Sequence, residues 1–300
     1  MTDQKSISGQ AWAELMLLGL IWGGSFLSIR VALNEVPVAT SVLHRTGWAM
    51  LALWIVVLVF RLPIPRDPRI WFAFLVMGLL NNVLPFALMA WAQLHVETGL
   101  TSILNAATAI FGVIVAALVF ADERLTLRKC IGVTLGFFGV ATAIGLESFR
   151  TLDLRSLGQL AIVLATVFYA VASAWARLRL SGLAPQVAAA GMLTGSTVIM
   201  LPAALILDGP VRFDLMPVTW LAIGYYALIA TAGAYMLYYH VLRMTGSGNL
   251  MLVTLLIPPV AILLGAVILG ETLHPSAFAG FAMLAAGLVV LDGRLLRRRR

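Results

Sequence analysis

Cysteine is almost absent from this chain of 300 residues. Cys130 stands alone, which excludes an intrachain disulfide and a thiolate metal cluster. Charge is also scarce, with 11% of residues charged against 61% hydrophobic. Too little polar surface remains to cover a soluble globule, and the mean hydropathy of +1.00 points to a lipid environment. No HExxH, no GxSxG and no paired carboxylates within an apolar run occur, so hydrolytic chemistry has nothing to run on. No Asn-x-Ser/Thr sequon is present, and the first ten residues lack a signal-cleavage pattern, so the first apolar run is expected to stay in the protein. No cofactor and no metal are expected.

Acidic residues at depth are missing too. The thirteen carboxylates all fall near the ends of apolar runs or between them. A buried carboxylate costs roughly 2.5 to 3.5 kcal/mol at a helix centre and is usually kept for ion or proton work. We therefore expect no Asp or Glu proton relay, and no deep counter-charge for a cationic substrate. Dependence of uptake on an imposed pH gradient would contradict the first expectation. A phosphate-bearing ligand would want a basic residue at depth, and only Arg45 comes close.

What the chain has in quantity is apolar runs of about 18 to 24 residues, enough to cross roughly 30 Å of hydrocarbon. They lie near 12–33, 38–60, 70–92, 97–120 and 127–145, then near 157–176, 185–207, 217–242, 246–269 and 275–292. The chain also repeats itself after 148 residues. Ile114, Val119, Glu123, Leu125, Gly132 and Gly139 are met by Ile262, Val267, Glu271, Leu273, Gly280 and Gly287. Five crossings per repeat place the copies upside down relative to each other, the plan of many secondary transporters. The expected fold is an all-α membrane protein of ten transmembrane helices in two inverted-topology five-helix repeats, residues 1–148 and 149–300.

With the N-terminus in the cytoplasm, fifteen of the twenty basic residues fall on the cytoplasmic side, including the tail RLLRRRR. The +7 charge is then a topology signal and a contact with anionic lipid, not a nucleic-acid footprint. Both termini are expected in the cytoplasm, in a bacterial inner (plasma) membrane.

Polar groups at depth mark the candidate site. In the fourth run Thr98, Thr101, Asn105, Thr108 and Gly112 fall within about 80° on a wheel of 100° per residue, a stripe that must face protein or water. It either makes interhelical hydrogen bonds or lines a cavity. The third run carries Asn81 and Asn82, followed by Pro85, which has no N–H for the carbonyl of Asn81. Pro258 and Pro259 do the same to the ninth run. Such breaks either shape packing or mark a substrate site. Tyr225, Tyr235 and Tyr239 share one face of the eighth run on a regular wheel; Tyr239 also suits the membrane interface. Tyr169 with Thr166 and Ser173 in the sixth run, and Trp22 in the first, complete the set. The four histidines sit near interfaces and read as structural. Gly132, Gly136, Gly139, Gly280 and Gly287 suggest close helix approach, and Gly19, Gly23 and Gly24 read as flex points.

LIWGGSF at 20–26, Pro37 with Arg45 eight residues on, ADERLT after the fourth run and LGETLHP after the ninth together resemble the EamA-type drug/metabolite transporters over essentially the whole chain. The resemblance implies export of small metabolites, amino acids above all, by alternating access through a central cavity. The aromatic amino acid exporters look similar, but Asn81, Asn82 and Ala106 stand where that branch would carry tyrosines, so general amino acid export is the broader expectation. The alternative is an exporter of nucleotide-sugar-like or lipophilic compounds on the same fold. A channel or a purely structural membrane protein would be separated from a carrier by the lack of saturable counterflow.

Overall fold

The computed structural model describes residues 8–121, 126–144, 154–245 and 253–292. All regular structure among them is helical, in ten crossings. They are α1 Gly9–Ala32, α2 Val38–Val59, α3 Pro68–Ala92, α4 Thr98–Val119 and α5 Leu127–Ile144. The second half adds α6 Leu154–Arg179, α7 Pro185–Leu207, α8 from Pro217 to Thr245, α9 Val253–Leu269 and α10 Pro275–Asp292. Seven of these helices are long and apolar enough to cross a membrane, and α5, α9 and α10 are shorter or more polar at one end.

Local chemistry explains the boundaries. Proline opens α3, α7, α8 and α10, where its missing N–H would have had no partner anyway. Asp67 accepts from the N–H of Arg69, and Ser8 from that of Ala11, as N-caps. After α9 the chain turns through Gly270 at φ 68°, a left-handed backbone that a side chain resists. Large apolar side chains such as Ile55, Leu58, Leu118, Ile206 and Leu221 stay exposed around the bundle, where lipid tails rather than water would meet them.

The two repeats interlock. Repeat-equivalent helices lie against each other, α5 on α10 and α2 on α7, while α1 packs on α9 and α4 on α6 and α9. Lipid offers no hydrophobic gain for helix association, so close backbone contact must supply it. The α5–α10 seam shows this: a Cβ on Gly139 would come within 2.6 Å of the Leu284 nitrogen, and one on Gly287 within 2.7 Å of the Gly132 carbonyl. Gly19 and Gly23, expected to flex, instead admit Leu256 and Val260 of α9.

One end of the bundle, opposite the termini, is tied by carboxylates that cap helices of the other repeat. Glu271 accepts from the Thr98 N–H (3.0 Å), the Thr98 hydroxyl (2.8 Å) and the Gly99 N–H (3.4 Å) at the start of α4. Asp208 takes the N–H and hydroxyl of Thr40 in α2, at 2.6 and 2.8 Å. Glu35 takes the Met216 N–H and the Thr219 hydroxyl in α8. Helix N-termini carry unpaired N–H groups and positive potential, so each carboxylate sits where an anion is favoured. Glu97 and Arg155 add an ion pair at 3.2 Å. In the loop before α8, the Arg212 guanidinium holds the Asp214 carboxyl below its usual range, but the pair is open to solvent and adds little stability. Near the termini, Glu14 of α1 meets His240 of α8 at 2.7 Å. Glu123, the repeat partner of Glu271, and the basic tail lie outside the described residues.

Candidate functional site

Two helices widen at mid-membrane, at the same place in each repeat. In α3, Leu79–Val83 is π-helical, and the Leu84 N–H reaches back five residues to the Leu79 carbonyl. In α8, Tyr225–Gly233 is π-helical, with the Ala234 N–H bonded to the Ile229 carbonyl. Shifted by the repeat distance, 79–83 falls on 227–231, inside the α8 segment. Such wide turns concentrate at functional sites because they release carbonyls and re-aim side chains. Pro85, which cannot donate, accounts for the widening of α3. No proline lies in the wide segment of α8 or in the helix after it, so the segment was not legible in the sequence; Gly224 just before it and Gly233 at its end are the local signal.

The α3 segment presents a polar cluster to helices of the second repeat. Asn81 Nδ2 donates to the Tyr235 hydroxyl at 3.2 Å and to Asn82 Oδ1 at 3.2 Å, and it approaches the Met192 sulfur at 3.4 Å. Asn82, fully buried, donates to Ser196 Oγ of α7 at 2.8 Å. Asn81 and Tyr235 keep partial accessibility, while Ser196 and Asn82 are sealed behind them. Tyr235 also borders a crevice with Leu53 and Gln186, on the side of the bundle where α7 begins.

The α8 segment serves a residue that the sequence reading had not placed among the site residues. Arg45 of α2 points its Nε–H at Thr231 Oγ1, 3.0 Å away, and the Thr231 hydroxyl in turn donates to the Tyr226 carbonyl at 2.7 Å. The guanidinium carbon lies over the Phe86 ring of α3, 3.8 Å from its centroid. Its titratable neighbours are the phenols of Tyr169, Tyr235 and Tyr226, and no carboxylate pairs with it among the described residues. A cation at such depth costs roughly 2.5 to 3.5 kcal/mol on insertion scales. One hydrogen bond and one cation–π contact offset only part of that. The signal that would have found it was available: Arg45 is the one basic residue well inside an apolar run.

The remaining expected residues divide. Helix α4 breaks at Ala106 and Ala107 into Thr98–Asn105 and Thr108–Val119, so the polar stripe does not continue on one face. Thr98 and Thr101 are fully buried; Thr98 is held by Glu271, and Thr101 donates to the carbonyl of Glu97. Neither joins the central cluster. Asn105 and Thr108 flank the break and are partly accessible; Thr108 closes the turn onto the Asn105 carbonyl at 2.7 Å, and Asn105 Oδ1 is buried without a partner among the described residues. Tyr169 packs against the apolar cluster that contains Val83 and Phe86, its hydroxyl 4.0 Å from the Met89 sulfur.

Three expectations are corrected. The break expected at Pro258 and Pro259 is absent: α9 is helical through both, with Pro258 buried, and the interrupted helix on that side of the site is α4. Prolines one residue apart remove neighbouring donors, but helix packing on both sides holds the backbone on course. Tyr225 and Tyr235 do not share a face: Tyr225 donates to the Ile21 carbonyl in α1, while Tyr235 meets α3. A π segment turns through fewer degrees per residue, so a regular wheel loses phase across it. Trp22 is committed to structure, its indole N–H donating to the Ala230 carbonyl of the wide segment at 3.1 Å. The side chain of Tyr239 lies outside the described residues.

Residues 8–145 and 156–291 each match the family model for EamA-like transporters. The chain belongs to the EamA-like transporter family. It is therefore a membrane transporter of two tandem EamA units, and its substrate is a small molecule. It is 30% identical, over 98% of this chain and 97% of the other, to a "Probable terminal-alkyne amino-acid exporter" of Streptantibioticus cattleyicolor. It is 25% identical, over 92% of each chain, to a "Probable amino-acid metabolite efflux pump" of Escherichia coli. A solved structure titled only "Crystal structure of protein" aligns over 98% of this EamA chain and all of that one, with a TM-score of 0.68 at 18% identity, a likeness of fold alone.

Proposed function

We propose that the protein is a secondary exporter of amino acids or closely related metabolites. The observation that carries this is the partly accessible polar cluster of Asn81 and Tyr235, held at mid-membrane where both repeats widen. The names of the relatives, an amino-acid exporter and an amino-acid metabolite efflux pump, support the substrate class. A neutral cluster with no carboxylate suits a small polar molecule without a permanent positive charge in need of a deep counter-ion. Residues 1–148 and 149–300 are its two repeats, access alternates by rocking of the α3–α4 and α8–α9 regions, and both termini lie in the cytoplasm of a bacterial cell. The carboxylate-tied end then faces outward, and the structure corresponds to a state closed on that side.

The test is exchange of radiolabelled phenylalanine, threonine and methionine across proteoliposomes containing the purified protein. Saturable counterflow with mutual competition supports the reading. Linear, non-competing flux for all three would mean a pore, and no flux would exclude amino acids as cargo.

A further inference from the structure

We infer that Arg45 receives the anionic group of the transported molecule, and that this group is a carboxylate. The assignment deepens the exporter reading and rests on it for the word cargo. It does not rest on it for the chemistry of the site.

The argument starts from unused donors. A guanidinium carries five N–H groups in a planar fork. Nε–H is taken by Thr231, and the four terminal N–H groups meet no acceptor among the described residues. The Phe86 ring centroid lies 3.8 Å from the guanidinium carbon, a cation–π contact that occupies none of the N–H groups on the fork edge as a hydrogen-bond donor. The side chain is enclosed by helices yet keeps partial accessibility, so the edge borders internal space. The described carboxylates sit at the bundle ends, where Glu35, Asp208 and Glu271 are each engaged by a helix N-terminus. A purely structural arginine at this depth would be paired. This one is held in place by a hydroxyl and a ring, which orient it without neutralising it.

The geometry suits a carboxylate. Two parallel N–H groups on the fork edge match its two oxygens, and in a site shielded from bulk water such a charge-assisted pair is strong. The phenol of Tyr169 neighbours the guanidinium and carries a hydroxyl donor for the same oxygens. Arg45 of α2 is held by one group from α3 and one from α8, the latter in the second repeat, so an anion there bears on both halves of the protein.

Two measurements on the full-length protein test this. In proteoliposomes showing phenylalanine counterflow, 3-phenylpropanoate should compete and L-phenylalaninamide should not. R45Q should lower counterflow about 30-fold, the loss expected for one charge-assisted pair, with R45K recovering part of it. Equal competition by acid and amide would overturn the assignment without touching the exporter reading, and this comparison needs no variant to fold. If no amino acid is exchanged, the exporter reading falls and thermal unfolding of detergent-purified protein decides for Arg45. A rise in Tm with 3-phenylpropanoate, absent with 3-phenylpropanamide and with sodium sulfate, and lost in monodisperse R45Q, supports the carboxylate site. No acid-specific rise, or a rise that persists in R45Q, would overturn it.

Discussion

Glu271 shows how a single side chain works across a bundle of helices. Its two oxygens serve three donors at the start of α4, although 173 positions separate it from Thr98. Replacing it with alanine leaves those donors to water. E271A should lower stability by about 1 kcal/mol, the usual cost of losing an N-cap, read as a fall in Tm in detergent. Asn82 has a different role, since its amide is sealed against Ser196 and backs the partly accessible Asn81. N82L leaves Ser196 Oγ its backbone partners Gly78 and Met192, so the protein should still insert. It should nevertheless lose most counterflow, because Asn81 and Tyr235 lose their support. Asn105 has a buried oxygen with no partner among the described residues, and N105L should likewise depress transport with insertion intact; unchanged counterflow in both variants would remove α3 and α4 from the site.

At the scale of the element, two devices recur in both repeats. One is the wide turn in α3 and α8, which sets where Asn81, Thr231 and Tyr235 point. The other is the glycine seam between α5 and α10. G139L places a branched side chain against the backbone of Leu284 and Gly280. Overpacking of this kind costs typically about 1 to 3 kcal/mol. We expect reduced folded yield and a lower Tm, while a substitution at Gly224, which has open space around it, should be tolerated for packing. The ten crossings themselves were legible in the sequence, since length and hydropathy alone specify them. The wide turn of α3 was half legible, through Pro85. That of α8 was not, because a π turn without proline is a response to packing against α1 and α2 rather than to local composition.

At the scale of the whole molecule, the described residues form cross-repeat fastenings. Its carboxylate caps gather at one end and each crosses from one repeat to the other, so they act together as a closure. Cys130 is exposed and forms no disulfide, so C130S should provide a silent background for labelling. In that background a cysteine at Ser41, which is 3% accessible beside the Thr40 cap, should react slowly with an aqueous thiol reagent. E271Q, which touches α4 and not α2, should accelerate that labelling about fivefold if it shifts the equilibrium by about 1 kcal/mol. An unchanged rate would mean that each cap is only a local fastening.

The sequence by itself determined the ten spans, the repeat, the polar positions on α3 and α4 and the glycine seam, because each is written in the order of neighbouring residues and in hydropathy along the chain. Tertiary structure alone decided the partners. Thr231 for Arg45, Tyr235 for Asn81 and Thr98 for Glu271 lie 186, 154 and 173 positions apart. No local period encodes such a pairing. It arises when two inverted repeats close on each other and polar groups excluded from lipid find their partners inside the bundle.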